Sequence, residues 1–104
     1  MKNNRINLEQ NKLMDGVTAM AFAKSKFVEL HPLKTHPEWF SRCVTIGYGK
    51  DKAGRFVVDF GLTPKATNDA ICIFQVSVDR STAETNILIN RGWSEFSGAD
   101  LQGF

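Results

Sequence analysis

The chain has little of what usually gives a chemistry away. Of its 104 residues only two are cysteines, Cys43 and Cys72, and no CxxC pair occurs. Neither a zinc site nor a thioredoxin-type dithiol is indicated, and both thiols are expected free and buried in a reducing cytoplasm. No run approaches the roughly 18 apolar residues of a membrane span. Met1-Lys2-Asn3-Asn4-Arg5 leads into a polar stretch and not an apolar signal core, so no secretory signal is read. A net charge of +2 is too small for a nucleic-acid footprint. Lys24 and Lys26, or Lys50 and Lys52 around Asp51, do not make a patch. No P-loop, GxGxxG, HExxH or GxSxG occurs. Gly47-Tyr48-Gly49-Lys50 precedes a hairpin and not a helix, which excludes a phosphate loop. Asp59-Phe60-Gly61 spells the kinase triplet in a chain far too short for a kinase. The pairs His31-Pro32 and His36-Pro37 lack a further ligand at a matching spacing, so no metal site is expected.

What is present is 42% hydrophobic and 23% charged residues, which suits one folded domain over residues 1–104. Residues 8–30 read as one long helix. Asn7 is the candidate N-cap, Gln10 completes a capping box, and His31-Pro32 ends the helix because a residue before proline is pushed out of the α region. Leu13, Val17, Met20, Phe27 and Val28 share one stripe, with Ala21 at its edge, and this stripe is expected to face the core. Gly16 marks a close approach or a kink. Lys24 falls near the stripe's centre, where its stem either snorkels over apolar surface or lines a pocket. Phe22 falls on the far side, as a lone exposed aromatic or a partner contact. Residues 31–41 form a two-proline crossover anchored by Trp39 and Phe40. Thr35 to Trp39 has the makings of a short helical turn, and His36 is the crossover's candidate ligand or proton-transfer group.

From residue 42 the hydrophobic period becomes two. Strands are expected near 43–49, 55–62, 70–78 and 84–90, joined by short polar loops, with Cys43 and Cys72 inside apolar strand runs. Cys72, Phe74, Val76 and Val78 are expected on one face of the third strand, whose apolar residues on both faces suggest a central position. In the fourth, Ile87 and Ile89 oppose Asn86, Leu88 and Asn90. Strands joined by short loops pair as neighbours, giving an antiparallel meander, and the helix must bury its stripe on that sheet. The expected fold is therefore α+β, one N-terminal helix packed on a four-stranded antiparallel meander. In element order alone this resembles the cystatin-like roll, and more loosely the NTF2-like roll; no Gln-x-Val-x-Gly segment accompanies it.

Residues 91–104 carry three glycines and four apolar anchors: Trp93, Phe96, Leu101 and Phe104. Burying a large side chain yields roughly 1.5–3 kcal/mol, against roughly 1–2 kcal/mol of backbone entropy per ordered residue. Four anchors alone therefore cannot order fourteen residues without added hydrogen bonds or a partner. Trp93 and Phe96 are expected to pack on the domain, and Leu101 to Phe104 to be loosely held and ordered by a partner or a second copy. With no catalytic set and no cofactor motif, the leading expectation is a non-enzymatic protein-binding module. An inhibitor or immunity (antitoxin-like) protein fits, with Phe22, Trp93, Phe96, Leu101 and Phe104 as contacts. Its partner is another protein or a second copy, not nucleic acid or membrane. The alternative is a small-ligand roll or small enzyme whose pocket, between helix and sheet, carries Lys24, His36 and Tyr48.

Overall fold

Asp15 decides where the first helix begins. In the computed structural model, which describes residues 14–103, Asp15 is extended and its carboxylate accepts the Thr18 N–H at 2.8 Å. The Met14 N–H is drawn to the Arg80 carbonyl at 3.1 Å. Helix α1 is therefore Gly16–Leu30, which corrects the single helix expected from residue 8. The Asx cap and the tertiary bond at Met14 interrupt the helical path there. Asn7, Gln10 and Leu13, and Phe104 at the other end, lie outside the described residues. The C-terminus falls as expected at His31, whose N–H still donates to Phe27 O before Pro32 turns the chain.

The buried face of α1 is Gly16, Ala19, Ala23 and Phe27, with Met20 half-buried beside them. This stripe is rotated by roughly 80° from the one read in the sequence, at 100° per residue. Val17, at 67% exposure, and Val28 face away from the core centre. The small side chains let the helix axis approach the sheet closely, and that closeness outweighs burying larger residues farther from it. Gly16 leaves room for the Tyr48 side chain, whose ring end would overlap a Cβ placed there.

After a 3-10 turn at Leu33–Thr35, a second short helix, α2, spans Phe40–Cys43. The single turn expected at Thr35 to Trp39 thus falls on either side of that segment. Cys43 ends α2 and is buried there, not in a strand; Phe40 is buried and Trp39 half-buried, as expected of anchors.

Four strands follow: β1 Thr45–Lys50, β2 Phe56–Leu62, β3 Ile71–Val78 and β4 Thr85–Asn90. They form one antiparallel sheet in the order β1-β2-β3-β4, so the α+β meander read from the sequence is the fold observed. Each hairpin has local chemistry to fix it. The Asp51 carboxylate accepts from the Ala53 and Arg55 N–H groups and from the Arg55 guanidinium, and Gly54 takes the positive φ of 83° that closes the loop. Between β3 and β4, Asp79 accepts from Ser81 N–H, Ser81 O–H and Thr82 N–H, which hold its carboxyl down at about 2.

Two irregularities re-aim side chains. Phe74 lies opposite Phe60 but Cys72 opposite Gly61, so Ile73 is an extra residue in β3. Cys72 therefore sits on the face away from the helix, not beside Phe74, and Ile73 and Phe74 are both fully buried. Leu88 is likewise extra in β4, which puts Ile87 opposite Val76 on the helix side and Ile89 opposite Gln75 on the other. β3 is central, as its apolar character requires. The core is the helix face of β2 and β3 against α1, with Phe27 stacked on Phe60 at 4.8 Å and edge-on to Phe74 at 5.0 Å. No helix among the described residues is long and apolar enough to cross a membrane.

The tail returns to its own fold. Trp93 and Phe96 pack half-buried against the core, as expected. Leu101 is 3% exposed and bridges Pro64, so the tail is not loosely held at that residue. Backbone bonds from Lys65 N–H to Asp100 O and from Gln102 N–H to Thr63 O, both 2.9 Å, supply the hydrogen bonds needed beside Trp93, Phe96 and Leu101 to order the described part of the tail.

Candidate functional site

The described residues offer no metal cluster of His, Cys, Asp and Glu. The two histidines instead pin elements together. His36 Nε2 donates to the His31 carbonyl at 2.7 Å, satisfying an acceptor exposed where α1 ends. His31 Nε2 contacts Asn90 Oδ1 at 2.7 Å and so ties the helix end to the end of β4. Both rings lie against Trp93, at 5.0 and 5.2 Å, and Trp93 rests on Phe40 at 4.8 Å. Trp93 is thus the tail's contribution to an aromatic cluster at the helix C-terminal end, made within the chain.

Of the pocket residues read from the sequence, Lys24 and His36 come together and Tyr48 does not. The first two line an apolar groove between α1 and β1. Tyr48 lies at the opposite end of the helix, over Gly16 and edge-on to Phe56 at 5.5 Å. Lys24 is exposed, not central to the buried stripe, because of the rotation of α1.

On the sheet's other face, Thr45, Gly47, Asp59, Gly61 and Cys72 line a shallow depression. Asp59 is bonded across the strands by Gln75 Nε2 at 2.6 Å, and Arg55 pairs with Asp51. Burial, and then the Asp59 charge, push the Cys72 thiol up, which is the wrong direction for a nucleophile. Both cysteines are free.

The remaining surface feature is the outer edge of β4. Ile87, Leu88 and Ile89 are 44%, 53% and 36% exposed on a strand that pairs only with β3 among the described residues. Lys24 and Val28 face the β1 side of α1; Phe22, roughly 160° round the helix from Lys24 at 100° per residue, turns toward β4. It is 41% exposed. Sequence reasoning put Ile87 and Ile89 together on one sheet face but did not identify the strand edge itself. The available signal was an uncharged run, Thr85 to Asn90, in the last strand of a meander, which must be an edge.

The class this arrangement defines is an α+β fold of one principal helix on an open four-stranded antiparallel sheet. No protein-family model, curated protein or solved structure matches the chain.

Proposed function

We propose that the chain is a non-enzymatic protein-binding module that takes an extended segment of a partner onto the free edge of β4. The observation that carries this reading is the run of three exposed aliphatic side chains on that edge. An edge strand presents a row of unpaired N–H and C=O groups, and an added strand satisfies them while alternate side chains supply specificity. Edges are ordinarily protected by lysine, proline or a bulge; Thr85–Asn90 has neither lysine nor proline, and its one such device is the extra residue Leu88. The other edge, β1, contains Gly47, Gly49 and Lys50 and is a poorer template. A module of this kind blocks whatever it covers, which makes an inhibitor the finer form of the reading. The surface cations are interspersed with carboxylates, Lys26 with Glu29 and Arg91 with Glu95, which favours a protein over a nucleic acid as partner. Two free thiols suit a reducing, cytoplasmic setting.

The test is a photo-crosslinking residue placed at Leu88 and, separately, at Lys65, in cells of the native host. A discrete adduct from position 88, absent from position 65 and lost on Ile87→Lys, is expected. An adduct of twice the chain's mass would identify the occupant as a second copy. Equal labelling from both positions, or a crosslink within one chain only, refutes the reading.

A further inference from the structure

On the flank of α1 away from β4, helix and sheet part to leave a groove of about 320 Å³. Phe27, Phe40 and Phe60 form its floor, and Val28, Val44 and Ile46 contribute to its sides. Three polar side chains line it, Lys24, His36 and Ser41, and no carboxylate does. All three carry hydrogen-bond donors. The His36 Nε2–H is committed to the His31 carbonyl, which leaves the Lys24 ammonium and the Ser41 hydroxyl for a ligand. Lys24 makes no ion pair among the described residues, whereas Lys26, two positions on, is held by Glu29 at 3.0 Å.

A cavity near the lower end of the usual ligand-site range, apolar in its body and cationic at its rim, selects for both size and charge. We infer that this groove binds a small carboxylate with an apolar body of roughly eight to twelve heavy atoms, a size suited to the low end of ligand cavities. The carboxylate lies at Lys24 and Ser41, where charge-assisted hydrogen bonds are the strongest available, and the apolar body lies on the phenylalanine floor. A cation of the same length meets only like charge at the rim. The site is separate from the β4 edge, so a partner there and a ligand here stand or fall independently.

The probes are octanoate, octylammonium and octan-1-ol, titrated into the full chain and followed by methyl NMR. Octanoate is expected to shift the Val28, Val44 and Ile46 methyls saturably, and octylammonium to bind at least tenfold more weakly. Lys24→Met is expected to weaken octanoate five- to tenfold while leaving octan-1-ol unchanged. Lys24→Arg should retain binding, and Lys26→Met, off the groove, should match the parent. Because Lys24 is exposed, the fold should survive, and Lys24→Gln replaces the Met variant if its spectrum loses dispersion. Equal binding of octanoate and octylammonium, undiminished octanoate binding in Lys24→Met, or no saturable methyl shift overturns the assignment.

Discussion

Leu101→Ala tests whether the end of the chain belongs to the core. The side chain is 3% exposed and sits where the tail bridges Pro64. Burying a leucine is worth about 1.5–3 kcal/mol, and truncation to alanine adds the cost of the cavity left behind, for a usual total of about 2–5 kcal/mol. The tail is held by backbone bonds to Thr63 and Lys65 as well as by this side chain, so part of the site can close over the gap. A loss of about 3 kcal/mol is therefore expected. For a chain near 100 residues, each kcal/mol moves the melting temperature by about 4–8 °C, giving a fall of about 12–24 °C. Urea unfolding followed by tryptophan emission measures the free energy, and thermal circular dichroism the midpoint. Leu88→Ala, on a half-exposed edge residue, is the control and should change stability by less than about 0.5 kcal/mol. A Leu101→Ala loss below about 1 kcal/mol would mean the tail is not part of the core, and the reasoning from its burial would fail.

Two other perturbations follow from particular contacts. Gly16→Ala sets a methyl against the far end of the half-exposed Tyr48 side chain, which can swing into solvent, so it should destabilise by less than about 1 kcal/mol; in a Tyr48→Ala background the same change should be neutral or stabilising, and urea titration of the four proteins distinguishes this from a backbone effect. For acid, Asp79 titrates at about 2 when folded and near 3.9 when unfolded. The unfolded chain therefore binds more protons between those values. Its contribution is complete above about pH 5 and is lost as pH falls through the folded value. Asp15, hydrogen-bonded by Thr18, acts with the same sign. So does Asp51, where partial desolvation is outweighed by hydrogen bonds from Arg55 and Ala53 and by the Arg55 charge. Urea midpoints at pH 5.5, 3.5 and 2.5 should fall steadily, and Asp79→Ala should flatten that fall; an unchanged slope in the variant would contradict the assignment.

The sequence by itself determined the principal helix and the four strands, their order and most of their ends, though not the short helix α2. The change to period two near residue 42, the asparate-anchored hairpin at Asp51 to Gly54 and the proline after His31 act over a few residues, so each leaves a local mark in the chain. The strands observed start and end within about two residues of those read from alternation. Pairing Lys24 with His36 was legible too, because both lie on elements that must meet near the crossover. Tertiary packing alone decided the rest. The α1 stripe turned onto Gly16, Ala19 and Ala23 because small residues allow a close helix–sheet approach, a gain invisible until the sheet is in place. The extra residues Ile73 and Leu88 broke the strict alternation, sending Cys72 to the outer face and separating Ile87 from Ile89, since a bulge is a relation between two strands and not a property of one. Leu101 became core for the same reason: its partner, Pro64, lies 37 residues earlier, and no local pattern records a contact between segments that far apart.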